Sequence, residues 1–212
     1  MITLSNVIPI PLKEQNIGSS EVWKTELQIP DKKKIFLSAP SGKGKTTFQL
    51  MLYGIRKDYE GIVKMNGEDI STFDLNKWSD IRQNKLSIIF QDLRLFPDLT
   101  AMENLELKNN LTNHKTKEQI LQMAESLGVA DFLKKKAGIL SYGQRQRMAI
   151  IRAMCQPFEL LLMDEPFSHL DKANIEKACE LINSETKQNG AGYIIASLGD
   201  RYSLEYDHTI QL

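Results

Sequence analysis

A chain of 212 residues can bury one sizeable core with a subdomain set into it, but it is too short for a second full domain. Its 27 basic side chains are balanced by 27 acidic ones, so no overall field draws it to nucleic acid or to an acidic membrane surface. No apolar run approaches the ~18 residues of a membrane span, no signal-peptide core follows Met1, and Cys155 and Cys179 show neither metal spacing nor a disulfide framework, which predicts buried thiols in a reducing cytosol.

The chain opens on short β-rich runs, residues 2–10 and then 22–29, where apolar and polar residues alternate as in a half-buried strand. Residues 31–34 read as the turn into a short apolar strand, 35–38. A glycine-rich loop comes next, Ala39-Pro40-Ser41-Gly42-Lys43-Gly44-Lys45-Thr46-Thr47, and then a helix over 46–53. Strand, loop and helix in that order make a phosphate-binding loop. Residues 86–90, 160–163 and 193–196 are short apolar runs bounded by polar ones, the pattern of strands buried on both faces of a parallel sheet. Helical periodicity marks 101–111 and 117–127, with Met123 and Leu127 on one face, and a further helix runs over 144–152. The expected fold is α/β, one domain over 1–212 with a helical subdomain over about 93–155.

Gly42 and Gly44 let successive backbone N–H groups point at an anion, while the next helix adds the positive end of its dipole. In this pattern Lys45 reaches the terminal phosphates of a nucleotide and the Thr46 hydroxyl faces Mg²⁺. The pattern ordinarily opens on glycine, and Ala39 stands there; a positive φ at that position would strain alanine by about 1–2 kcal/mol. Asp164 ends a predicted buried strand, from which a carboxylate can hold Mg²⁺, and Glu165 comes directly after it.

Leu140-Ser141-Tyr142-Gly143-Gln144 lies a short way before Leu160-Leu161-Leu162-Met163-Asp164-Glu165-Pro166, and both lie beyond the phosphate loop. The order resembles the ATP-binding-cassette (ABC) family over nearly the whole chain. The resemblance implies a P-loop NTPase with a mainly parallel sheet core, an N-terminal antiparallel β subdomain and an inserted helical signature subdomain. It implies ATP and Mg²⁺ as cofactors, Glu165 as general base, and Gln91 as the glutamine that senses the γ-phosphate and Mg²⁺. Ser141 and Gly143, with Gln144 beginning the helix behind them, would bind the γ-phosphate held by a second ATP-binding subunit, either another copy or a different cassette. A transmembrane permease subunit is the other implied partner, placing the chain on the inner face of the membrane; no nucleic-acid partner is expected. Residues 92–105 look most like the lipoprotein-release, cell-division and macrolide-efflux ATPases, and an end at Leu212 fits a cassette without a regulatory domain.

Several residues depart from that pattern. Tyr142 replaces a signature glycine and is expected to project away from the nucleotide. Leu198 stands where the family carries a histidine after the last core strand, and leucine neither donates nor accepts a hydrogen bond. His169, in a segment resembling the family's D-loop, is expected to be a packed or solvent-facing interface residue. Residues 9–13 offer no aromatic for an adenine ring, while Trp23 and Trp78 read as packing residues. Arg145, Arg147 and Arg152 read as solvated or paired side chains, not as an RNA-binding face. The leading expectation is an ATP-hydrolysing subunit that energises a membrane partner. The alternative is a slow ATP-gated switch, or the degenerate half of a heterodimer.

Overall fold

The structure is a computed structural model that describes residues 1–15, 18–199 and 201–212. Strands β1 (Ile2–Pro9), β2 (Glu26–Ile29), β4 (Tyr59–Met65) and β5 (Glu68–Asp69) form an antiparallel sheet in the order β2-β1-β4-β5. A bulge breaks the β1–β4 register between Ser5 and Ile8. Asn6 takes φ 52° there and Gly61 faces it at φ 91°; a Cβ on Gly61 would stand 2.5 Å from the Asn6 carbonyl oxygen, so the approach needs glycine.

The second sheet is parallel throughout. Its five strands run in the order β6 (Leu86–Ile89), β7 (Leu160–Asp164), β8 (Gly192–Ser197), β3 (Lys34–Ser38) and β9 (His208–Gln211). Strands β6 and β8 are buried along their whole length, which explains why the sequence shows unbroken apolar runs there and not alternation. Strand register sets where the connecting loops lie. Ile89 lies beside Met163, Asp164 beside Ala196, and Ser38 beside Ser197, so the loops leaving β6, β7, β8 and β3 all emerge at one carboxyl edge.

Helix α1 (Lys45–Leu52) is anchored to this sheet by Gln49, whose Nε2 donates to the carbonyls of Met163 and Ile194, both at 3.1 Å. α2 (Leu75–Asn84) precedes β6, and α6 (Lys172–Asn189) precedes β8. Between β6 and β7 the chain inserts α3 (Ala101–Asn109), α4 (Lys117–Ser126) and α5 (Tyr142–Met154). Each of the three starts with a capping box, built by Thr100 with Glu103, Thr116 with Gln119, and Ser141 with Gln144. One apolar cluster joins the antiparallel sheet, α1 and one face of the parallel sheet, while a second joins the opposite face to α3–α6. Among the described residues no helix is long and apolar enough to cross a membrane.

One sequence expectation changes in detail. The alternating run 22–29 is strand only over Glu26–Ile29, because Val22 and Trp23 are buried in the turn before it and Lys24 takes φ 60°. Strands β4, β5 and β9 and helices α2 and α6 are not anticipated by the sequence reading, although α2 and α6 start on aspartate N-caps, Asp74 and Asp171, and α6 stops at Gly190 in the left-handed region. Both cysteines are buried as expected, and burial pushes the Cys155 thiol up to about 12 and that of Cys179 to about 11, so neither is a reactive thiolate.

Candidate nucleotide site

The phosphate loop links β3 to α1. Gly42 takes φ 80° and Gly44, the N-cap of α1, takes φ 96°. A Cβ on Gly44 would lie 2.7 Å from Leu12 Cδ1 and 3.1 Å from Trp23 Cζ2. Trp23 packs edge-on against Phe48 and its Nε1 donates to the Lys43 carbonyl at 3.1 Å, so this core residue also clamps the loop. Ala39 is buried and does not adopt positive φ, so the strain that such a φ would bring does not arise. Its carbonyl instead accepts from Lys45 Nζ at 2.8 Å, and the Pro40 carbonyl accepts from the same group at 3.2 Å. Lys45 is 6% exposed and faces Glu165 Oε1 at 3.8 Å. Pro40, Ser41 and Gly42 form the exposed crest of the loop, and Thr47 is half-buried on the first turn of α1.

Beyond the loop three oxygen-bearing side chains converge. The Thr46 hydroxyl donates to Gln91 Oε1 at 3.4 Å, and Asp164, at the end of β7, lines the same cavity of about 400 Å³. Asp164 is 3% exposed and its Oδ1 lacks a hydrogen-bond partner among the described residues. Burial raises its carboxyl above the usual range, opposed by the Thr46 hydroxyl. A buried, unpartnered carboxylate oxygen beside a hydroxyl and an amide oxygen suits a hard divalent cation such as Mg²⁺. Without metal, the ionised form carries a stability cost that is present above the raised pKa and fades as falling pH protonates the group. Asp164→Asn is therefore expected to raise the metal-free melting midpoint at pH 7 by about 2–4 °C, the shift that ~1 kcal/mol produces in a domain of this size. The gain should shrink in acid; equal midpoints at pH 7 would show that burial of this charge costs nothing.

Glu165 takes φ 47°, and its N–H donates to the Ala196 carbonyl at 2.9 Å. A left-handed non-glycine residue costs about 1–2 kcal/mol and persists where its surroundings hold it. Gln146 supplies part of that hold. It is 1% exposed, its Nε2 donates to the Pro166 carbonyl at 2.7 Å, and its Oε1 accepts the His169 N–H at 3.2 Å. Sequence reasoning missed this residue. The signal was a glutamine one turn before Ala149 and Ile150 on the buried face of α5.

In the signature segment, the Gln144 N–H donates to Ser141 Oγ at 3.3 Å, while Gln144 Oε1 accepts from the Ser141 N–H at 2.9 Å. The Gln144 side-chain oxygen thus shapes the start of α5. A Cβ on Gly143 would sit 3.3 Å from the His169 carbonyl oxygen, so glycine keeps the two loops close. Tyr142 turns back onto its own chain: it lines the cavity shared by Thr46 and Asp164, and its hydroxyl donates to the Gln91 carbonyl at 3.1 Å. Its ring packs on His169 with centroids 4.1 Å apart, which leaves that histidine packed and exposed as expected. Arg147 and Arg152 are paired, the first with the Gly143 and Leu127 carbonyls and Asn174, the second with the Leu93 and Arg94 carbonyls. Leu198, just past β8, is 59% exposed. At the adenine end Leu12 is buried against Gly44, Ile10 is exposed, and Lys13 pairs with Glu60.

A glycine loop between strand and helix, an inward lysine, and a threonine, glutamine and aspartate gathered beyond it define a P-loop nucleotide-binding protein. Residues 23–168 match the ABC transporter family, and the chain belongs to it. It is 36% identical over 163 residues to the xylose/arabinose import ATP-binding protein XacJ of Haloferax volcanii, covering 74% of this chain and 41% of that one. The chain thus spans less than half of that relative's length. It is 30% identical to the lipoprotein-releasing system ATP-binding protein LolD of Legionella pneumophila (strain Paris), covering 94% of this chain and 91% of LolD. Among solved structures it resembles the dimeric bacterial ABC transporter cassette MJ0796 with a TM-score of 0.80 and 26% identity, over 93% of this chain and 88% of that one. MJ0796 is also known as a dimer in a post-hydrolysis state bound to ADP and Pi, and that structure is 28% identical to this chain.

Proposed function

We propose that the chain is the ATP-binding and ATP-hydrolysing subunit of a membrane ABC transporter or force-transmitting complex, and that it works as one half of a cassette pair. The observation that carries this is the convergence of Lys45, Thr46, Gln91, Asp164 and Glu165 at the carboxyl edge of the parallel sheet. The whole chain is one cassette, with 93–155 as its helical subdomain. Backbone N–H groups from Gly42 to Thr47 cradle the phosphates, and Lys45 exchanges the Ala39 and Pro40 carbonyls for phosphate oxygens. Thr46, Gln91 and Asp164 would hold Mg²⁺, which when bound offsets charge on the phosphate oxygens. Glu165 takes the proton of the attacking water, whose oxygen bonds to the γ-phosphorus as ADP leaves. Ser141 and Gly143, at the positive end of α5, meet the γ-phosphate held by the second cassette.

The near full-length likeness to LolD supports a partner that spans the membrane, and therefore a location on its inner face. A groove of about 370 Å³ lined by Phe90, Phe96, Leu107 and Leu111 together with Arg94, Lys108 and Arg152 suits a helix of that subunit carrying apolar residues and a carboxylate. Burial lowers the Lys108 ammonium to about 8, and an acidic partner side chain would favour its charged form.

Leu198 favours a second reading, a switch that binds ATP and hydrolyses it slowly, because no hydrogen-bonding side chain stands at that position. Single-turnover phosphate release at high protein concentration separates the two. Mg²⁺-dependent release by the unaltered chain supports the motor. ATP-dependent dimers that release phosphate only after Leu198→His support the switch, and failure to bind ATP sinks both.

A further inference from the structure

The Gln91 side chain is exposed, and its contact with Thr46 is long at 3.4 Å, so its place at the cation corner is set by its backbone. That backbone enters a strained turn. Leu93 takes φ 61° and Arg94 φ 47°, two consecutive non-glycine residues in the left-handed region. Such a turn lasts only where neighbours over-determine it. On its far side the Arg152 guanidinium donates to the Leu93 and Arg94 carbonyls, and on its near side the Tyr142 hydroxyl donates to the Gln91 carbonyl at 3.1 Å. Tyr142 is itself fixed between His169, 4.1 Å away ring to ring, and the Arg145 guanidinium, 5.3 Å from its ring.

We infer that Tyr142 is a positioning residue that holds Gln91 at the cation corner and ties the signature segment to it within one chain. The inference rests on the proposed ATP and Mg²⁺ site. Ser141 and Gly143 flank Tyr142, so a shift of the signature at one nucleotide is passed through the Tyr142 hydroxyl to the glutamine serving the other. A glycine at 142 would have neither the reach nor the donor.

Tyr142→Phe removes the hydroxyl and keeps the ring stack on His169. Two readouts are taken besides activity: hydrogen exchange of the amides of residues 91–95 in nucleotide-free protein, and Mg²⁺ titration of fluorescent-ATP binding. Exchange is expected to quicken about fivefold, and the half-saturating Mg²⁺ concentration to rise about fivefold, the weight of one ordinary hydrogen bond. Nucleotide binding without Mg²⁺ should change by less than about twofold, since no loop donor is touched. Gln91→Ala should raise the Mg²⁺ requirement by itself, and adding Tyr142→Phe should raise it no further. Unaltered exchange together with an unaltered Mg²⁺ titration in Tyr142→Phe would overturn the inference, as would a shift that persists in full on the Gln91→Ala background. A wild-type chain that binds no nucleotide would instead overturn the nucleotide site itself, and the exchange experiment alone would then decide the Tyr142 contact.

Discussion

Glu165→Gln is expected to keep ATP binding and to lower phosphate release by about 10²- to 10⁴-fold, the range over which a positioned general base contributes. The amide matches the carboxylate in shape, so the strained backbone at φ 47° and the N–H bond to Ala196 should persist. What disappears is the ability to accept a proton from water and the charge 3.8 Å from Lys45. Binding and chemistry therefore separate. ATP-loaded dimers should accumulate, seen by sizing the protein at saturating nucleotide, while quenched single-turnover samples show almost no ADP. Retention of more than about a tenth of the wild-type rate would mean that another group takes the proton.

Gly44→Ala should do more damage than its one methyl group suggests. At φ 96° an L side chain is strained, and here it would also meet Leu12 Cδ1 at 2.7 Å and Trp23 Cζ2 at 3.1 Å. Leu12 can swing its terminal methyl aside. Trp23 is less free, because its indole is buried and its Nε1 holds the Lys43 carbonyl. Backbone strain and overpacking together suggest a loss of about 2–4 kcal/mol of stability. The loop would also move its N–H groups off the phosphates, and ~2 kcal/mol of lost alignment is about 30-fold in nucleotide affinity. Gly42→Ala is the control. It too has positive φ, at 80°, yet a Cβ there meets nothing within 4 Å. Calorimetric titration with ATP and melting curves of both variants isolate the collision, and equal losses would place the whole effect in backbone strain.

Much of the site was legible in the sequence because its chemistry is local. The phosphate loop is one uninterrupted segment whose glycines are needed where φ is positive, and Asp164 with Glu165 comes after an apolar run short enough to read as a buried strand. Gln91 was readable for the same reason at the end of β6. The three capping boxes carry an equally local signal, Ser or Thr with Glu or Gln three residues later. Residues whose roles depend on distant partners were not legible. Trp23 meets Lys43 across 20 residues, Gln146 meets Pro166 across 20, and Tyr142 meets Gln91 across 51. No periodicity encodes such pairs. The strain that a positive φ would bring to Ala39 is absent for a related reason, since the backbone angle there depends on the tertiary setting, where its carbonyl accepts from Lys45, and not on the residue's place in a pattern.

By itself the sequence determined the family, the α/β alternation, and which side chains face phosphate and cation, because each depends on residue type and spacing along one segment. The tertiary structure alone decided how those segments meet. Parallel register brings the ends of β3, β6, β7 and β8 to one edge, and the signature tyrosine turns onto the Gln91 carbonyl. Such placements depend on packing a whole sheet and an inserted helical bundle at once, and burial and hydrogen-bond satisfaction choose them over separations that local propensity does not span.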